Sequence, residues 1–250
     1  MQSQFCNKYE KRIVIFIDIL GFSNLVKNTD LDNLRKEENK EKARKNLENL
    51  ITALIFINNE ISKIKNSKIA SIQLSQFSDS LVISILESSD DLILIFYYLK
   101  SLQINLLNNY KILIRGGIVN GKIIHNEKML LGPAMVDAYT LESKCANSPR
   151  IVVMPSVVKM YERYLKENEV LDDEKVLGKD YDGTYYVDYF NNISDDYDID
   201  KMEYYNKIDE IIQGNSRSKD VSIKIKYYWM REKLKNTDYF KNKNLMNIKN

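Results

Sequence analysis

The chain has 250 residues and 44% apolar content, enough for one large domain or two small ones around a proper core. Thirty-seven basic residues against 35 acidic ones leave a net charge of +2, so no global field argues for nucleic acid or an anionic membrane as partner. Two cysteines, Cys6 and Cys145, are too few for a disulfide scaffold, and one histidine, His125, cannot supply a His/Cys zinc site or a Ser-His-Asp triad.

The amino-terminal MQSQFCNKYEKR has no apolar run of signal-peptide length, and no apolar stretch reaches the roughly 20 residues that span a bilayer. A cytoplasmic protein is therefore expected. Arg12–Ser23, RIVIFIDILGFS, reads as a strand buried on both faces, ended by Asp18 and leaving through Gly21-Phe22-Ser23 into a helix start that favours an anion. A carboxylate beside an anion cradle suggests a metal and a phosphate. The plainer reading of Asp18 is a turn or helix cap.

Ser23–Lys40 is polar and reads as a short helix followed by a loop or irregular helix. From Lys42 to Lys65, apolar residues three or four apart predict a long amphipathic helix. Gln76-Phe77-Ser78-Asp79-Ser80 lies between two short segments of strand character, Ile69–Leu74 and Leu81–Leu86, and predicts a tight hairpin with Asp79 at its tip. If that hairpin pairs with the first strand, Asp18 and Asp79 converge. Such acids suit Mg²⁺ or Mn²⁺, and two ions about 3.5–4 Å apart can activate a hydroxyl and stabilise a leaving group.

Ser89-Asp90-Asp91 caps a helix through Leu92–Leu107. Tyr110–Val119 predicts a strand broken by Gly116 and Gly117, and Asn120-Gly121 a tight turn into Lys122–His125. The polar turn Asn126-Glu127-Lys128 marks His125 as a surface residue. Met129–Cys145 reads as a closely packed helix after Gly132-Pro133, Ile151–Met154 as a strand, and Pro155 to about Asn168 as a helix. Tyr185–Phe190 is a late strand. Ser194–Asp200 is a solvated loop; Ile199–Gln213 and Val221–Lys235 are helices separated by a break at Gly214-Asn215-Ser216. Strand, helix, strand, strand, helix, strand is the split βαβ order of palm-like α+β domains. The expected division is a catalytic domain over 1–192 and a mostly helical extension over 193–250 packed on it.

Four pieces in this order, FIDILGFS from Phe16, FSDS from Phe77, IRGGIVNG from Ile114 and Gly132 through Glu142, resemble the class III nucleotidyl cyclase family over roughly residues 12–155. That resemblance implies a ferredoxin-like palm fold and two divalent ions, Mn²⁺ or Mg²⁺, held by Asp18, Asp79 and the backbone carbonyl of Ile19. It implies a triphosphate held by backbone N–H groups of Leu20, Gly21, Phe22 and Ser23, and a homodimer whose sites are shared between subunits. A 3′-hydroxyl would then attack its own α-phosphate, giving a cyclic nucleotide and pyrophosphate.

Purine-specific members carry a lysine and an acid where this chain has Ser75 and Met129, and their asparagine and arginine align here with Val136 and Thr140. Kept metal acids and a lost purine pair look like the pyrimidine cyclases of Pycsar antiphage systems, with UTP or CTP as substrate and a separate cyclic-nucleotide effector. Ser75, Phe77 and Met129 are then expected beside the nucleotide. Arg115 is expected either to contact substrate, standing in for the missing cation, or to form a strand-edge salt bridge. Gly116 and Gly117 serve close packing, and Tyr97, Tyr98, Tyr227 and Tyr228 are core or interface residues. The absence of an attached receptor module fits a free-standing signal generator. The alternatives are a degenerate cyclase-homology domain that binds without turnover, and a palm enzyme with another product.

Overall fold

The computed structural model describes residues 8–30, 36–65, 69, 71–87, 89–169, 175–237 and 239–241; Cys6, and residues 31–35 of the expected polar segment, lie outside them. The first strand, β1 (Glu10–Ile19), leads through the short α1 (Phe22–Lys27) into the long α2 (Glu37–Lys65). The hairpin β2 (Gln73–Phe77) and β3 (Ser80–Leu86) turns at Ser78 and Asp79, and α3 (Ser89–Tyr110) returns the chain to β4 (Ile114–Asn126). Then come β5 (Met129–Leu131), α4 (Pro133–Cys145), β6 (Ile151–Val153), α5 (Pro155–Glu167), β7 (Leu177–Lys179) and β8 (Tyr185–Val187). Two helices close the chain, α6 (Lys201–Ser216) and α7 (Val221–Lys235).

The sheet runs in the order β2-β3-β1-β4-β6-β8-β7, with β5 paired to β4 off that path. Neighbours among its first four members are antiparallel, and the two helical crossovers within them each skip one strand, which is the split βαβ core expected from the sequence. The fold is α+β, with an open sheet.

β1 is buried on both faces, and its parity divides the molecule. Ile13, Ile15, Ile17 and Ile19 face α2, α3 and α5, where Leu50, Ala53, Leu92, Phe96, Leu99 and Tyr161 complete the main core. Val14 and Phe16 face the other way, toward Val119, Ala134 and Ala138 under α4. Period-two side-chain alternation then puts Asp18 on the α4 face. A third cluster joins α6 and α7 to Ile104, Leu107, Leu113 and Tyr186.

Three expectations fail along β4. The strand runs unbroken through Gly116 and Gly117, which pair with Ile17 and Phe16. The strand is not broken at Asn120-Gly121: Asn120 pairs with Ile13 and Gly121 with Arg12, because ten-residue β1 gives the ladder a partner beyond the dipeptide. Gly121 serves close approach instead, since a Cβ there would stand 3.1 Å from Ala134 Cβ. His125 is not a surface residue, being only 6% exposed. It lies on the same parity as Val119 and Ile123, and β5 folds its end of β4 back over the sheet. At the carboxyl end, β7 had no sequence signal beyond three residues, and α6 runs through Gly214 to Ser216 where a break was expected. Gly214 meets nothing within 4 Å of an added Cβ, so it neither breaks nor packs the helix.

Candidate active site

The register of three adjacent strand pairs sets Phe77, Ser80, Asp18 and Arg115 in one row across β2, β3, β1 and β4. The next row on the same face is Ser75, Val82, Phe16 and Gly117, and the one after it Gln73, Ser84, Val14 and Val119. Gly117 lets α4 lie directly on this face: a Cβ there would sit 2.6 Å from Ala138 O and 3.0 Å from Glu142 N. The result is that Glu142, eight residues after Ala134 on one helix stripe, comes down beside Arg115.

Arg115 joins two acids. Its Nε and Nη2 donate to Asp18 Oδ2 at 3.3 and 3.2 Å. Its Nε also lies 2.6 Å from Glu142 Oε1, an ion-pair contact out of line for a hydrogen bond; Glu142 Oε1 has no hydrogen-bond partner among the described residues. Ser80 Oγ donates to Asp18 Oδ1 at 3.4 Å. Burial pushes the Asp18 carboxyl above its ordinary value, Arg115 opposes this, and the neighbouring Asp79 charge adds to the rise. Burial likewise raises Glu142, again against Arg115. Arg115 thus forms a salt bridge, on a strand flanked by β1 and β6 and not at the sheet edge.

Asp79 reaches the row from the hairpin tip. Ser78 takes a left-handed conformation (φ 54°), and Ile19 N–H donates to Asp79 O at 3.3 Å, which fastens the tip to the end of β1. The chain then turns at Gly21 (φ 76°), a conformation that favours glycine, into α1. Leu20 N–H donates to Leu113 O at 2.8 Å, so the amides of Gly21, Phe22 and Ser23 are those left at the start of α1, where no intrahelical acceptor exists for them. Phe22 packs against the main core and Leu20 against the cluster under α6 and α7.

The oxygen donors fit a hard divalent cation. Asp18 offers Oδ1, Asp79 a second carboxylate from the facing turn, and both stand next to the backbone of Ile19. Among the described residues no group of three or more His, Cys, Asp or Glu is placed to hold a metal ion.

The remaining expected residues divide. Phe77 is exposed (54%) at the end of the Asp18 row, and Ser75 is half-buried in the next one. Met129 is on β5, paired with Asn126 and away from the Asp18 row along the sheet. Two residues of this face escaped sequence reasoning. Glu142 was legible only as the third member of the Ala134, Ala138, Glu142 stripe. His125 was hidden by the polar turn after it, although its parity with Val119 and Ile123 gave the signal. Tyr97 and Tyr98 pack on the main core and Tyr227 on the third cluster, whereas Tyr228 is 61% exposed.

No protein-family model matches the chain, and no curated protein does. Solved structures do. The monomeric guanylyl cyclase domain of the RhoGC fusion protein from the aquatic fungus Blastocladiella emersonii is 15% identical, over 72% of this chain and 95% of that one, at a TM-score of 0.48. An adenylate/guanylate cyclase/hydrolase from Silicibacter pomeroyi is 15% identical over 72% and 98%, at 0.44. A bacterial light-regulated adenylyl cyclase is 13% identical over 82% and 99%, at 0.42. Likeness at this level says nothing of activity, which has to come from the residues themselves. Among the described residues no helix is long and apolar enough to cross a membrane.

Proposed function

We propose that the chain is a metal-dependent nucleotidyl cyclase that converts a pyrimidine nucleoside triphosphate, UTP or CTP, into its 3′,5′-cyclic monophosphate and pyrophosphate. The observation that carries this reading is the meeting of Asp18 and Asp79 at the end of β1, one residue from a glycine turn whose amides have no helical acceptor. Two carboxylates beside an anion-binding turn suit a phosphate chain with its cations better than they suit a cap.

Asp18, Asp79 and the carbonyl of Ile19 would hold two Mn²⁺ or Mg²⁺ ions. When bound, these supply a more acidic 3′-hydroxyl and a sink for the charge of the departing pyrophosphate. The amides of Gly21, Phe22 and Ser23 orient the phosphates. Arg115 holds the Asp18 carboxylate in place and, on substrate binding, turns part of its charge toward the leaving oxygens. Ser75 and Phe77 would lie toward the base. The absence of the purine-reading lysine and acid at Ser75 and Met129 supports a pyrimidine. The same resemblance supports a role in antiphage signalling, with the product read by a separate effector.

A homodimer with shared sites is supported by exposed apolar side chains next to this face, with Val136 (63%) and Tyr139 (54%) on α4 and Leu131 (55%) on β5. One observation favours the alternative of nucleotide binding without turnover: Arg115 already occupies Asp18 Oδ2.

Release of pyrophosphate from UTP and CTP, titrated with Mn²⁺, tests the reading. Wild-type protein should show metal-dependent release. Asp18→Asn and Asp79→Asn should lose it by roughly 10²-fold or more, as removal of several kcal/mol of charge stabilisation requires, with unchanged circular dichroism. Release untouched by either variant removes the two-metal assignment.

A further inference from the structure

One guanidinium serves two carboxylates on the α4 face, and it serves them unequally. Among the described residues Arg115 is the ion-pair partner of both Asp18 and Glu142, whose side chains are 18% and 2% exposed. Its Nε and Nη2 converge on a single oxygen, Asp18 Oδ2, at 3.3 and 3.2 Å. Charge-assisted bonds of this kind run to about 2.7–2.9 Å, and an arginine at its strongest makes two parallel bonds to two oxygens. The hold on Asp18 is therefore loose.

Glu142 is the reverse case. Its Oε1 lies 2.6 Å from Nε, closer than either contact to Asp18, yet it accepts no hydrogen bond, because the one Nε hydrogen is directed at Asp18. A buried carboxylate oxygen left without a donor is costly. The Glu142 backbone cannot back away to relieve it, since α4 is seated on β4 at Gly117, where an added Cβ would stand 3.0 Å from the Glu142 amide. A small turn of the guanidinium brings Nε–H into line with Oε1 and releases Asp18 Oδ2.

The two acids also differ in reach. Asp18 ends β1 beside the hairpin tip, with Ser80 on its other oxygen and Asp79 fastened to the next residue, Ile19. Glu142 is buried under α4. A cation arriving at the hairpin meets Asp18 and not Glu142.

We propose that Glu142 is the second seat of Arg115: when a divalent cation takes the Asp18 carboxylate, the guanidinium turns its Nε–H onto Glu142 Oε1 and so yields Asp18 without losing its counter-charge. This rests on the metal assignment above. Glu142 is a positioning residue, acting on the Asp18 site through Arg115. The contact between Arg115 and Asp18 is then the resting state of a site that admits a cation and no bar to one.

Mn²⁺ binding to the free protein, read from the loss of the aqueous Mn²⁺ signal in electron paramagnetic resonance, tests this without turnover. Glu142→Gln keeps the shape, removes the charge and should weaken binding about tenfold, whereas in an Arg115→Gln background the same change should cost at most about threefold, no guanidinium being left to seat. Equal losses in both backgrounds would mean that Glu142 acts by its charge alone, and no loss in either that it plays no part; both overturn the proposal. A second measurement needs no metal. In a crystal structure of Asp18→Asn, where the charge at that position is gone, Nε–H should lie in line with Glu142 Oε1; a guanidinium still on residue 18 with Oε1 unpaired overturns the second seat. The same data separate the two readings. Mn²⁺ binding indifferent to Asp18→Asn and Asp79→Asn sinks the metal assignment, whereas binding that needs both acids and ignores Glu142 sinks the second seat alone.

Discussion

Asp18 is held against its surroundings. Burial disfavours its charge, the Asp79 carboxylate disfavours it further, and Arg115 alone among the named causes of comparable reach favours it. The guanidinium of Arg115 is the cation that offsets this burial. His125 is the opposite case, a neutral group kept neutral. Its folded value of about 4 lies below the ordinary 6.5, so between these values the unfolded chain binds the proton and the folded one does not. The contribution of His125 is therefore present above about pH 6.5 and is lost as the pH falls toward 4. Urea midpoints of wild type and His125→Gln, taken from pH 7 down to pH 4, should converge as the pH falls; parallel curves would mean that His125 titrates normally. Asp18 was legible because it ends a hydrophobic run, and Asp79 because it lies at the tip between two segments of strand character. His125 was misread because its local polarity outweighed its strand parity, and Arg115 could not be assigned because only α4 supplies Glu142.

At the scale of elements, the close seating of α4 on β4 decides the shape of the site. Gly117 and Gly121 on the strand meet Ala138 and Ala134 on the helix, and this contact sets the depth at which Glu142 meets Arg115. Gly117→Ala would put a methyl against the Ala138 carbonyl and the Glu142 amide, with no side chain able to move aside. It should cost about 1–3 kcal/mol, read as a lower urea midpoint at unchanged slope. Stability equal to wild type would mean that α4 is free to ride away from the strand. Elements with strong periodicity, α2 and the isoleucine-rich β1 above all, were readable from sequence. The Asn120-Gly121 dipeptide misled, because a turn signal counts only when the flanking residues lack a better partner, and β1 is that partner. The three-residue β7 exists through pairing with β8, which no local pattern announces.

Across the whole molecule, α7 is tied to the rest of the chain by one buried acid. Asp180 accepts from Arg150, from Trp229 Nε1 at 2.6 Å, from Lys233 Nζ at 2.8 Å and from Tyr181 N–H at 3.0 Å. Burial works against this charge, yet Lys233, Trp229 and the Tyr181 amide together hold its carboxyl below the usual range. Tyr204 and Tyr205 on α6 donate to the carbonyls of Tyr189 and Phe190, and the same cluster reaches Leu113 and Leu20 before the Gly21 turn. Asp180→Ala leaves Arg150 and Lys233 facing each other without their acid and should destabilise the fold by about 3–5 kcal/mol in thermal or urea unfolding. A loss under about 1 kcal/mol would show that α7 is held without help from this acid. The α+β plan and the helical extension could be read from the order of elements, but this tie joins residues 150, 180, 229 and 233, and nothing in a linear chain marks them as neighbours.

The measurement closest to the central claim is incubation of the purified protein with each of ATP, GTP, CTP and UTP in Mn²⁺, with products read by mass spectrometry. The account predicts a 3′,5′-cyclic pyrimidine monophosphate and pyrophosphate, and no product from Asp79→Asn. Silence with all four triphosphates, or a cyclic product that survives the loss of Asp79, would contradict it.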